Sequence, residues 1–197
     1  MEKKKLGVLL ILGGIAAYLY YQNSQNSSDD SDSAVSFLGD PIAGVSDMVT
    51  AAVAGWQSVG SGPAWVPALN AAELQFGIVP NLLARIAYEE SHFRDDIITG
   101  VTASPAGALG LMQLMPQYYA SVRVPRPFQP SDTLAQINEA AQDLITNYNT
   151  LGNWPQAVAA YNAGLSTIQN NSASAANQAA TAKYVADILS DVPAANA

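Results

Sequence analysis

Two adjacent carboxylates, Glu89 and Glu90, close an apolar segment, PNLLARIAYEESHF, and a glycine-punctuated stretch, ITGVTASPAGALGLMQLMP, follows them. A carboxyl placed this way can hand a proton to a leaving group, provided that its surroundings keep it protonated near neutral pH. Helical spacing separates the two. Leu83, Ile86, Ala87 and Glu90 fall at i, i+3, i+4 and i+7, one face of a 3.6-residue helix, so Glu90 rides on the apolar stripe. Glu89 lies about 100° around the helix. It follows Arg85 at i+4, where an exposed ion pair contributes about 0.2–0.5 kcal/mol. Burial disfavours the charged form of a carboxyl, so Glu90 is expected to hold its proton and Glu89 to do little. Position alone does not distinguish a proton donor from a structural glutamate capped by hydrogen bonds at a helix end.

The elements around this pair read as short helices between capped turns. Pro80 suits the first turn of the Glu90 helix, where its missing N–H leaves no bond unmade. Ala68 to Phe76 is a helix stopped by Gly77, and Gln113 to Val122 is read as another. Pro125, Pro127 and Pro130 impose an extended crossing. Ser131 or Asp132 then caps a long helix through Leu134, Ile137, Ala141, Leu144, Ile145 and Tyr148, which Gly152 ends. Pro155 opens WPQAVAAYNAG, a polar loop NNSASAAN follows, and a last helix runs near Ala175 to Ser190. The one alternating pattern suggests a short strand around Ile97 to Thr102. The chain is therefore expected to be mainly α.

Composition sets the outer limits. A chain of 197 residues accommodates one globular domain plus extensions, domains usually having about 100–150 residues. It has no cysteine, which excludes disulfides and thiolate metal sites, and neither a metal nor a cofactor is called for. A spread net charge of −8 argues against nucleic acid as a partner.

Residues 1–21 begin with Lys3 to Lys5 and continue as an uncharged run from Leu6 to Tyr21. No small-x-small cleavage site follows, which favours an uncleaved membrane anchor through residues 6–21 over a removed signal peptide. The run is a little short of the roughly 20 residues a span wants, but Tyr18, Tyr20 and Tyr21 suit an interface. The lysines then stay in the cytoplasm and the rest of the chain lies on the periplasmic side. Residues 22–63 are read as a linker. Its Asn-, Gln-, Ser- and Asp-rich start from Gln22 to Ser36 is a flexible tether, and an amphipathic helix at 42–56 packs on the main domain at 64–192.

Three blocks carry a resemblance. Glu90-Ser91 with Phe93 closes a helix; Ser104-Pro105-Ala106-Gly107-Ala108 leads into Gly110-Leu111-Met112-Gln113-Leu114-Met115-Pro116; and Ala160-Tyr161-Asn162-Ala163-Gly164 follows. In this order and at these spacings, the chain from about Trp65 to Val192 resembles the catalytic domain of soluble-type lytic transglycosylases, relatives of goose-type lysozyme that cleave peptidoglycan. The resemblance implies a lysozyme-like fold and peptidoglycan glycan strands as the substrate. It also implies that one glutamate, Glu90, protonates the bond between N-acetylmuramic acid and N-acetylglucosamine and then acts as base on the C6 hydroxyl, closing a 1,6-anhydro ring. Ser104 matches a serine near the N-acetyl group, Gln113 and Met115 match groove residues, and Tyr161 and Asn162 match the block opposite the glutamate. Several of these have plainer readings. Met112 and Met115 serve equally well as core, Gly107 and Gly110 as turn formers, Asn162 as a helix-end cap and Phe93 as packing.

The sequence departs from the family in two places. RDDIITGVTA makes the connection from Glu90 to Ser104 longer than is common, and it contains Asp95 and Asp96. A second carboxylate about 6.5–9.5 Å from the acid would suit water activation, which keeps a lysozyme-type hydrolase of the same bond as the alternative. Ala180 stands before Tyr184-Val185 where relatives often have a glutamate, so a substrate contact is missing. A non-catalytic glycan-binding domain, or a scaffold in a virion or secretion complex, is the alternative of another class. The anchored layout is also similar to wall-piercing enzymes of bacteriophage virions and to bacterial envelope enzymes.

Overall fold

The computed structural model describes residues 54–196. Its first long helix, α1 (Gly62–Phe76), starts at the Ser61-Gly62-Pro63 punctuation and stops at Gly77, which takes the left-handed conformation (φ 71). Trp65, Ala68, Leu69 and Ala72 turn inward from it. Helix α2 (Leu82–Ser91) begins two residues after Pro80, at a left-handed Asn81. Its Leu83, Ile86 and Ala87 are fully buried, the apolar face on which Glu90 stands. The Ser91 hydroxyl donates back to the Ala87 carbonyl (2.8 Å), and His92 and Phe93 both take positive φ, so the helix breaks immediately after the two glutamates.

The strand expected around Ile97 to Thr102 is instead one helical turn, α3 (Asp95–Ile98). The Thr99 hydroxyl bonds the Asp95 carbonyl (2.7 Å), Ile98 is driven into the core, and Gly100 (φ 71) reverses the chain tightly against the Phe128 ring. Nor is there a helix over Gln113 to Val122. The chain there is a series of turns around an isolated antiparallel bridge, Leu109 to Leu114. Gln113 sits at φ 48, which no α-helix accommodates, and Leu111, Met112 and Leu114 are all buried, so helical periodicity misreads a loop enclosed by the protein.

Helix α4 (Pro130–Leu151) follows. Its N-cap is Gln129 rather than Ser131 or Asp132; Asp132 acts from inside the first turn, accepting the Gln129 N–H at 2.8 Å. Helix α5 (Trp154–Ala163) is capped by Asn153, whose side chain accepts the Gln156 N–H (2.9 Å). A short α6 (Leu165–Asn170), not anticipated from the sequence, precedes α7 (Ala175–Asp191). Single 3-10 turns at Gly55–Ser58 and Pro193–Asn196 complete the described residues, which contain no strand.

Helix α5 is central and packs on α4, α6 and α7, while α1 packs on α2 and α4. Helix α2 lies between α1 and α7. One apolar core joins them, including Leu69, Ile86, Met112, Leu144, Val158 and Ile188. Trp56 packs against this core, its ring 6.0 Å from that of Tyr88. The expected anchor at 1–21, the tether from 22 to 36 and nearly all of the 42–56 helix lie outside the described residues, among which no helix is long and apolar enough to cross a membrane.

Candidate active site

Glu90 occupies the last turn of α2 and is partly buried. Its Oε1 accepts a hydrogen bond from the Tyr184 hydroxyl of α7 at 2.7 Å. Burial raises its pKa from an ordinary 4.5 to about 7; the Tyr184 bond, which favours the ionised form, opposes the rise, and the charge of Glu89 adds to it. Near neutral pH such a group exists in both protonation states, the condition for giving a proton in one step and taking one in the next.

Tyr161 comes from α5. Its hydroxyl donates to the Met112 carbonyl (2.9 Å), tying α5 to the turn after the Leu109 bridge residue. Its own pKa is pushed well up, first by burial and then by the negative charge of Glu90, with Tyr119 and Asp143 behind it. Tyr119 is bonded to Asp143 of α4, and burial raises the pKa of both. Asn162 is exposed, and instead of capping α5 it accepts the Thr181 hydroxyl of α7 at 3.0 Å.

In the 99–129 segment, Ser104 folds its own turn. Its hydroxyl accepts the Ala108 N–H (2.9 Å) and its carbonyl the Gly107 N–H (2.9 Å). Gln113 is part-buried and donates its amide to the Gly110 carbonyl (2.9 Å), which holds the left-handed turn. Gly110 itself (φ 78) lies so close to Gln136 that a Cβ would meet Oε1 at 2.0 Å. Met112 is fully buried, a core residue, whereas Met115 keeps partial exposure. Phe93 is fully buried and His92 exposed.

A family model described as the transglycosylase SLT domain matches residues 67–184. The chain belongs to the transglycosylase SLT domain family. Its helical unit is thus a lysozyme-like domain of the lytic transglycosylase type, an enzyme family whose substrate is peptidoglycan. No solved structure matches the chain.

Two residues of this SLT domain escaped the sequence reading. Tyr184 enters the sequence reading only as a residue of the last helix and as the Tyr of the Tyr-Val pair after Ala180, with no role of its own, although it bonds the glutamate directly. Glu73 of α1 is 2% exposed and accepts the Asn81 and Ala84 N–H groups (2.7 and 2.9 Å) at the start of α2. Burial lifts its pKa to about 7, against the pull of those backbone bonds. It takes the place of a side-chain cap on the helix that carries Glu90. Its signal was available, since it follows Leu69 at i+4 on the apolar stripe of α1.

The Arg85–Glu89 pair also differs from expectation. It forms at 2.8 Å, but the Arg85 side chain is only 7% exposed, and the guanidinium reaches further, to Asp191 and to the Asp187 carbonyl of α7. In the extended connection, the Asp95 carboxylate accepts the Ser61 hydroxyl and Asp96 pairs with Arg94 at 2.7 Å. Both aspartates thus make bonds within or beside the connection. Among the described residues no group of three or more His, Asp or Glu is arranged to hold a metal ion.

Proposed function

We propose that this SLT domain is a peptidoglycan lytic transglycosylase in which Glu90 is both acid and base. Protonated Glu90 gives its proton to the glycosidic oxygen as the bond from C1 of N-acetylmuramic acid breaks, and the leaving N-acetylglucosamine departs with a free hydroxyl. The substrate's N-acetyl oxygen stabilises C1. The Glu90 carboxylate then removes the C6 hydroxyl proton, C6 oxygen closes on C1, and the 1,6-anhydro product forms with Glu90 protonated again. Ser104 faces the N-acetyl group in this reading, Gln113, Met115 and Asn162 line the groove, and Tyr161 and Tyr184 shape the surroundings of the acid.

The observation that carries this reading is the partly buried Glu90, with a pKa of about 7 and a tyrosine hydroxyl on Oε1. Asp95 and Asp96, the carboxylates that would activate water in a hydrolase, make bonds to Ser61 and Arg94 within the connection, and product analysis separates ring closure from hydrolysis. The apolar run after Lys3 to Lys5 supports an anchored enzyme working on the periplasmic side, in a bacterial envelope or a virion membrane, to open the wall locally.

Mass spectrometry of glycan fragments released from purified peptidoglycan tests the reaction. Anhydro-muramic ends, one water lighter than reducing ends, are the expected product. Reducing muramic ends alone would establish hydrolysis, and no release at all would leave a binding domain.

A further inference from the structure

Tyr184 stands on a face of α7 that is held on both sides. Three residues before it, Thr181 donates to Asn162 of α5. At i+3 and i+7 come Asp187 and Asp191, on the same helical face, and both are gripped by one side chain of α2. Arg85 donates Nε to the Asp191 carboxylate (2.6 Å), one terminal nitrogen to the Asp187 carbonyl (3.2 Å) and the other to Glu89 (2.8 Å). Its guanidinium also lies over the Tyr88 ring, 5.1 Å from the centroid. A buried, planar fork with three directed bonds fixes a neighbour's distance and orientation in a way that a flexible ammonium cannot.

We propose that Arg85 is a positioning residue for catalysis, holding the end of α7 against α2 so that the Tyr184 hydroxyl stays on Glu90. The inference rests on the reading of Glu90 as acid and base. Arg85 touches neither substrate nor the reacting atoms; it acts through α7. The groups that face Glu90 are Tyr184 from α7, Tyr161 from α5 and Glu89 from its own helix, with Tyr119 and Asp143 of α4 acting on Tyr161 and Lys183 acting on Glu89. Of these, Tyr184 is the one that bonds the carboxylate and favours its ionised form. When α7 slackens, that bond weakens, water reaches Glu90 and the carboxyl loses its aim; loss of the bond raises its pKa and hydration lowers it, so the geometry, more than the titration, carries the effect.

The test is the pH dependence of kcat and KM of the full-length protein on soluble glycan strands, for Arg85→Lys and Asp191→Ala, each alone and combined with Tyr184→Phe. Asp191→Ala is the cleaner arm. It removes an exposed partner (41%) and leaves the Arg85–Glu89 pair in place, so it reads the grip on α7 even if Arg85→Lys folds poorly. Arg85→Lys should lower kcat about 10- to 100-fold, the scale of a small misplacement at a reacting centre, with Asp191→Ala smaller and KM nearly constant in both. The alkaline limb should move away from its wild-type pH, and Asp191→Ala should add little once Tyr184 is Phe. A limb at wild-type pH with kcat scaled only by the folded fraction, or a full additional loss in the Tyr184→Phe background, would overturn the proposal. Glu90→Gln serves as the control: if it still cleaves, the acid assignment itself fails, whereas an inert Glu90→Gln with unshifted Asp191→Ala rejects the positioning role alone.

Discussion

The Tyr184 hydroxyl reaches Glu90 Oε1 at 2.7 Å from 94 residues further along the chain. The bond joins the last long helix to the helix of the acid. It also opposes the effect of burial, so that Glu90 titrates close to neutrality instead of higher.

Glu90→Gln should abolish glycan cleavage with the fold intact, because an amide neither gives nor takes the proton. Glu89→Gln should leave most activity. Since the Glu89 charge raises the Glu90 pKa, its removal should move the alkaline limb of the rate profile slightly to lower pH. Rates measured from pH 5 to 9 on purified peptidoglycan decide the matter, and equal losses in the two variants would defeat the assignment by helical face.

Tyr184→Phe keeps the ring and deletes the hydroxyl. The Glu90 pKa should then rise above about 7, the bond that favours its ionised form being gone. The rate is expected to fall about 10-fold or more, since one misaimed proton transfer is worth about 100- to 10,000-fold. NMR titration of the Glu90 carboxyl in both proteins reads the shift directly; an unmoved or lowered value would contradict it.

Stability should depend on pH through the same carboxyl. Folded Glu90 keeps its proton to about 7, while the unfolded chain releases it near 4.5. Between those values the folded state binds more protons, so stability is lost as pH rises across the window. A difference of this size corresponds to roughly 3–3.5 kcal/mol at most. A glutamine does not ionise, so Glu90→Gln should gain stability relative to wild type on going from pH 4 to pH 8. Urea unfolding at the two pH values measures it, and a gap between the proteins that is independent of pH would show that the folded-state carboxyl is unshifted.

Glu73→Ala should destabilise the domain by about 2–6 kcal/mol, because N–H groups left unpaired out of water cost about 1–3 kcal/mol each and both the part-buried Asn81 and the buried Ala84 lose their acceptor. Glu73→Gln retains one carbonyl oxygen and should lose roughly half as much. Denaturant unfolding near pH 7 gives both numbers; a change within about 0.5 kcal/mol for Glu73→Ala, the range of ordinary surface substitutions, would refute the cap.

The long helices were legible because their punctuation is chemical. Gly77 and Gly152 take the left-handed conformation that ends α1 and α4, and Pro155 lies in the first turn of α5. The face of Glu90 was legible for the same reason as any amphipathic stripe. The 99–129 segment was not. Its apolar residues are buried without belonging to a helix, and its left-handed Gln113 is held by an amide bond to Gly110 that no periodicity announces. Arg85 shows another limit, since spacing identified Glu89 as its partner but gave no hint of Asp191, which is 106 residues away. Contacts made by the folding of distant helices leave no local mark.

The sheltering of Glu90 by a residue of the final long helix also bears on biosynthesis. All three recognisable blocks end by Gly164 and leave the ribosome before Tyr184 does. A fragment stopping there would carry those three blocks yet lack both the end of the matched family region, which runs to residue 184, and the hydroxyl that holds the acid. The bond-breaking arrangement is therefore assembled only once α7 has been made and has docked on α2 and α5.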